Sequence, residues 1–350
     1  LRFLALSMIG IFIPIFLLYE VALPLSLVMY FFIMLAFFFI LTAILAAYIS
    51  SRIGFKHLIL LSVPFHIALI LLLALLENFR IPLILIAAVG SIAVGFYWIG
   101  HHADLALFTK KKKRASQVGL SFFVVGISAL LGPVLGGFIL TVSNFVVLFV
   151  IASILLLLST VPLFFTKDFY QRAPFSVRDI FKERKARDAL AFIGQGIEIG
   201  TIGVLWPIFV FSLVGAYFSL GLIGTFAALM SSSASIIIGK VADKVGRKKV
   251  LRVGALALSA LWFFRTLVSS IFHVYLVTVF SFVSDVAGLP MDSVSYTKAR
   301  YSKSATGYLV FREMFINVGK IISYLFILIS GSYFASFIFT GAAQALLLLF

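Results

Sequence analysis

The sequence predicts an all-helical membrane protein, with about twelve transmembrane helices gathered into two pseudo-symmetric six-helix bundles. Three observations carry that expectation. Mean hydropathy is +1.20, with 63% hydrophobic and only 11% charged residues, which leaves too little polar surface to clothe a soluble chain of this length. Apolar runs of about twenty residues recur nearly end to end. Lysines and arginines gather in alternate loops, as topology in a bilayer requires.

The runs fall into two sets of six: 4–19, 24–48, 57–76, 82–105, 117–140 and 145–165, then 189–211, 218–238, 250–269, 272–291, 305–329 and 333–350. Each is near the length that crosses about 30 Å of hydrocarbon as a helix. The first run lacks the basic start and small-residue cleavage site of a signal peptide and is read as a span. The chain does not begin with Met, so a few preceding residues are expected. Between the sets, Lys167, Arg172, Arg178, Lys182, Arg184, Lys185 and Arg187 make 166–188 too charged to cross. The expected organisation is a bundle over 1–166, a cytoplasmic linker over 167–188 and a second bundle over 189–350.

Orientation follows from the basic residues. Arg2, Arg52, Lys56, the run 110–114, the linker, the cluster between 240 and 252, and Lys298, Arg300 and Lys303 fall on one side, against Arg80 on the other. Both termini and the linker are therefore expected in the cytoplasm, in a multi-pass protein of the cell membrane. The net charge of +16 is then a matter of topology, and nucleic acid is not an expected partner. Absence of cysteine excludes disulfides, thiolate metal sites and cysteine nucleophiles. No cofactor, metal or nucleotide-binding loop is expected, and no nucleophile–base pair points to an enzyme.

Traces of duplication run through the chain. Pro14-Ile15-Phe16 and Ser26-Leu27 recur as Pro207-Ile208-Phe209 and Ser219-Leu220 at one offset. The segment from Ala47 to Lys56 aligns with that from Gly239 to Lys248, and Phe108-Thr109-Lys110 with Gly119 aligns with Tyr296-Thr297-Lys298 and Gly307. Three matches in the same order at equivalent places make the halves homologous.

Two stretches carry a family resemblance. Gly239-Lys240-Val241-Ala242-Asp243-Lys244-Val245-Gly246-Arg247-Lys248 resembles the loop motif of the major facilitator superfamily. Its glycines allow a tight turn and close helix approach, and Asp243 can latch the halves from a helix N-terminus or an arginine. The first-half copy departs from the pattern, with Ser51 where the Asp would stand and Phe55 where the basic residue would. In the fifth span Gly119, Ser128, Gly132-Pro133 and Gly136-Gly137 resemble the glycine-proline motif of facilitator antiporters. The resemblance implies a monomeric secondary transporter that moves a small molecule by alternating access, with export favoured. The fourth span lacks the arginine usual in the family's drug exporters, which weighs against proton–drug antiport.

Ionisable residues at membrane depth are costly and mark candidate transport paths. Glu198 and Trp206 lie in the seventh span and Asp285 in the tenth. Glu313, Asn317 and Lys320 share one helical face of the eleventh, with Arg312 adjacent. Trp98, His101 and His102 share a face of the fourth span, with Asp104 close by, and histidine suits proton coupling. Glu198 is expected to meet Arg312 or Glu313, and Asp285 to pair with Lys320 or Arg312. Proton-coupled efflux is the leading expectation. Uptake of an anionic metabolite is the alternative, suited by Arg312 and Lys320, and a sensor or scaffold that keeps the fold without transport is the third.

Overall fold

The computed structural model describes residues 1–109, 111–161, 165, 175–181 and 186–350, without the side chains of Asp104, Phe108, Lys111 and Phe181. The expected linker 167–188 lies largely outside the described residues. Its described parts include a short helix, Val177–Phe181, and the first turn of the seventh long helix.

Among the described residues there are no strands, and helices follow the expected order. They are α1 (Arg2–Glu20), α2 (Leu25–Ile53), α3 (Phe55–Leu75), α4 (Leu83–Leu107), α5 (Arg114–Val142) and α6 (Phe145–Leu158). The second set is α7 (Ala186–Val214), α8 (Tyr217–Val245), α9 (Arg247–Arg265), α10 (Ile271–Tyr301), α11 (Ala305–Ser330) and α12 (Tyr333–Leu349). Nine of these are long and apolar enough to span a bilayer by length and composition. The others are α6 and α12, which are shorter, and α9, whose ends carry Arg247, Lys248, Lys249, Arg252 and Arg265.

Proline explains three breaks. A ring without N–H cannot close the preceding turn, so the helix loosens just before it. In α1 the break at Ile11-Phe12 precedes Pro14, in α5 that at Leu130-Leu131 precedes Pro133, and in α7 a widened turn over Thr201–Leu205 precedes Pro207.

Within the first set α3 and α2 pack on α4, and within the second α7 packs on α11 and α9 on α10. The two sets meet along two seams, α5 against α8 and α2 against α11. Small residues make the first seam possible. A Cβ on Gly119 would lie 2.6 Å from the Ser235 carbonyl oxygen, and one on Gly239 would lie 2.7 Å from that of Ala115. At the other end, Cβ atoms on Gly137 and Gly221 would come within 2.5 Å of Tyr217 O and 2.4 Å of Pro133 O. Gly132 and Gly136 instead admit α1, at Ser7 and Met8.

Three expectations need correction. The motif residues 239–245 are the last turns of α8 rather than loop, since a helix this long outruns the hydrocarbon. The turn itself is Gly246, whose φ of 113° needs glycine, as does Gly54 with φ 85° in the first-half copy. α10 does not stop at Met291 but continues to Tyr301, its polar residues being satisfied by neighbouring helices. Arg2 is not a loop cation: it reaches between helices to Ser62 Oγ (3.0 Å) and His66 Nδ1 (3.3 Å), over the Tyr97 ring.

Candidate transport cavity

A cavity of about 310 Å³ lies between the two sets of helices, walled by α4 on one side and by α7, α10 and α11 on the other. Arg312 is its centre of charge. Its Nη2 donates to Asp292 Oδ1 at 2.6 Å, and its Nη1 donates to Glu313 Oε1. Arg312, Glu313 and Asp292 are nearly inaccessible to solvent, and two carboxylates sharing one planar guanidinium is how such burial is tolerated. Gln195 Nε2 adds a longer bond to Asp292, 3.4 Å.

His102 joins this network from the other half of the chain. Its Nδ1 lies 2.7 Å from the Tyr296 hydroxyl, and its Nε2 lies 3.2 Å from Arg312 Nη1 and 3.4 Å from Glu313 Oε1. Trp98 stacks on His102 and Tyr97 on His101, so the imidazoles are held by ring contacts on their own helix. Lys320 lines the same cavity with its Nζ 5.7 Å from the Phe39 ring.

Glu198 and Ser284 line this cavity and also a second one, of about 350 Å³, toward the other end of the bundle. Ser284 Oγ donates to Glu198 at 3.1 Å, and Asp285 accepts from Ser231 Oγ. Trp206 belongs to the second cavity, where Arg265 stands beside it.

The ends of the seams differ in chemistry. At one, Asp243 accepts from the Ala115 and Ser116 amides (3.2 and 2.8 Å) and from Ser116 Oγ (2.7 Å), while Arg247 holds the same carboxylate at 2.7 Å. Arg247 and Arg114 both donate to Thr297 Oγ1, and Arg300 donates to Thr109 O. Lys248 Nζ donates to Phe350 O. At the far end, the Tyr217 hydroxyl donates to Glu20 and rings interlock, Tyr19 on Phe211 at 5.0 Å. Each end thus carries hydrogen bonds between the two sets of helices.

The family model described as Major Facilitator Superfamily matches residues 1–188, more than half of the chain. The chain belongs to the Major Facilitator Superfamily. This facilitator is also similar to the uncharacterized protein YqgE of Bacillus subtilis (strain 168), 27% identical over 262 residues, which is 69% of this chain and 60% of that protein. It therefore spans less than two thirds of that relative's length. In fold it resembles the human organic anion transporter MFSD10 with TM-score 0.74 and 14% identity, covering 100% of this chain and 96% of that one. It also resembles a variant of the E. coli fucose:proton symporter FucP, with TM-score 0.67, 13% identity and coverage of 99% and 96%.

Of the residues singled out in the sequence, Trp98, His101, His102, Glu198, Asp285, Arg312, Glu313 and Lys320 line the central cavity of this facilitator. Asn317 does not: it is fully buried beside that face, donating to Glu313 O one turn back. The side chain of Asp104 lies outside the described residues. Glu198 does not pair with Arg312, whose fork is filled by Asp292 and Glu313, and Asp285 pairs with neither Arg312 nor Lys320 among the described residues. Asp292, Tyr296 and Arg265 were missed. Ending the tenth span too early hid the first two, although the repeat that aligns Thr109 with Thr297 also sets Asp104 opposite Asp292. Arg265 was passed over as the end of an apolar run.

Proposed function

We propose that this facilitator is a proton-coupled secondary transporter that exports a small organic molecule by rocking two six-helix halves, residues 1–166 and 189–350, about the central cavity. The observation that carries the proposal is the position of His102. It is the titratable group of the first half that contacts Tyr296, Arg312 and Glu313 of the second, so a proton gained or lost there changes the bonds that hold the halves together. Facing it from its own helix are Trp98 and His101, from α10 Tyr296 and Asp292, and from α11 Arg312 and Glu313. FucP, of the same fold, is a proton symporter by its description, so the architecture is compatible with proton coupling. Export rests on the glycine-proline stretch around Pro133, and the basic residues of alternate loops support an orientation with the Asp243 end and both termini on the cytoplasmic side of the cell membrane.

Uptake of an anionic metabolite is the second reading. It is favoured by Lys320, a cation in the cavity wall that has no carboxylate within 4.0 Å among the described residues. The two readings separate in energised everted vesicles offered a lipophilic cationic dye or a carboxylate dye, with the pH gradient followed in parallel. Export predicts dye accumulation with proton release, abolished in Glu313→Gln. Vesicles that behave like those lacking the protein, with either dye, would remove proton-coupled export of such molecules.

A further inference from the structure

The second cavity contains an unusual cation. Arg265 ends α9 at the far end of the bundle from Asp243, and only 3% of its surface is exposed. Its guanidinium carbon sits 4.2 Å from the Trp262 ring and 4.9 Å from the Trp206 ring. Neither Nε nor Nη1 has an acceptor among the described residues. Glu198 is the acid whose charge bears on it, but the two are not within 4.0 Å of each other and Glu198 is bonded to Ser284. A guanidinium withdrawn from water with two donors unmet is costly, and two aromatic faces offset only part of that cost.

The surroundings are those of a ligand pocket rather than a packing fault. About 350 Å³ of space adjoins the guanidinium, within the range of small-molecule sites, and its walls are mostly apolar with a few hydroxyls, Ser231, Thr278, Ser281 and Ser284. Ile11 and Pro133 come from the first half and the rest from the second, so an occupant touches both halves. At its inner wall Glu198 and Ser284 separate it from the central cavity.

We propose that Arg265, flanked by Trp206 and Trp262, is a binding station for the carboxylate of a small organic anion, one step along the path from the central cavity. Along one edge the planar guanidinium can donate to two carboxylate oxygens, which meets one of the orphan donors, while Trp206 and Pro133, both in the cavity wall, take the apolar body. An inorganic anion would satisfy the charge and leave the apolar walls unused. The proposal deepens the transporter reading by naming a substrate class, and it rests on that reading only in treating the station as part of a transport path.

Two of the three tryptophans of the chain flank Arg265, so intrinsic fluorescence reports the site directly. The full chain in detergent is titrated with cyclohexanecarboxylate, with cyclohexanecarboxamide and with chloride. A saturable change with the carboxylate, absent with the amide and with chloride, is expected, its midpoint weakened at least ten-fold in Arg265→Gln and less in Arg265→Lys. The proposal is overturned if the amide or chloride reproduces the change, if the midpoint is the same in Arg265→Gln, or if the carboxylate gives no change. If Arg265→Gln fails to fold, Trp98→Phe, which removes the tryptophan lining the central cavity, decides the matter: the carboxylate-specific change is expected to persist in it, and loss of the change overturns the proposal. No gradient is needed, so failure here is distinct from failure of the vesicle experiment.

Discussion

The starts of α5 and α11 occupy equivalent places in the two halves, yet their orphan amides are satisfied in opposite ways. α11 caps itself: Ser304 Oγ accepts from the Gly307 amide at 3.1 Å. α5 does not, since its N-cap residue is Lys113, whose side chain makes no capping bond. The amides that an N-cap side chain would take, those of Ala115 and Ser116, are taken by Asp243 from α8. The carboxylate also sits at the positive end of the α5 dipole. Correspondingly, the first-half copy of the motif has Ser51, whose hydroxyl turns back to Tyr48 O. A cap supplied from the same chain segment persists in every state, whereas a cap borrowed from the other half exists only while α5 and α8 stay together at that end. The asymmetry of the motif is thus matched by an asymmetry in what it has to satisfy, and for the proposed transporter it nominates the Asp243 end of the α5/α8 seam as the gate to test.

The largest effect is expected from removing the borrowed cap. Asp243→Ala deletes the bonds to two amides and a hydroxyl that cross the seam, worth about 2–3 kcal/mol to the closed gate, together with the local pair to Arg247. That corresponds to roughly 30- to 150-fold in the opening equilibrium. Because the chain has no cysteine, a single Gln195→Cys in the central cavity serves as the probe. Labelling by a membrane-impermeant maleimide from the Asp243 side should accelerate at least ten-fold in the Asp243→Ala background. An unchanged rate would mean that the motif does not hold the gate.

Removing the intrinsic cap should behave differently. Ser304→Ala leaves Gly307 N without its acceptor and costs about 1 kcal/mol, typical of a lost N-cap. A fall of about one to two degrees in unfolding temperature is expected, with the Gln195→Cys labelling rate unaltered, since this cap does not join the halves. Faster labelling in Ser304→Ala would erase the distinction between the two helix starts.

The sequence made this seam legible because glycines and an aspartate at fixed spacing have few other uses at a helix end. Twelve helical tracts and two sets of six were readable for a similar reason, since apolar length and basic loops follow directly from the solvent. The partners of the buried charges were not readable. Arg312 was seen, but Asp292 lay just beyond a span end drawn where polarity rises, although polar residues inside a bundle are satisfied by neighbouring helices rather than by water. Arg2 and Arg265 each sit at the edge of an apolar run, where hydropathy alone does not separate a snorkelling cation from one folded inward. Asn317 shared a helical face with Glu313 by spacing alone, and only packing reveals that this edge of the face is covered.

The smallest effect, and the sharpest comparison, comes from giving α5 a cap of its own. Lys113→Ser places a hydroxyl at the N-cap, within the usual reach of the N2 and N3 amides, here Ala115 and Ser116. In the wild type those donors already have Asp243, so the substitution alone should change gate labelling less than about two-fold, or some 0.4 kcal/mol. In the Asp243→Ala background they are unmet, and Lys113→Ser should recover about 1 kcal/mol of helix stability without restoring the closed gate, because a cap in cis holds α5 and not α8. Thermal stability and labelling therefore part company in the double variant, the first recovering and the second staying fast. If labelling slows along with the recovery of stability, the closed state depends on the order of the α5 end itself, and Asp243 acts by folding that end rather than by bridging the two halves.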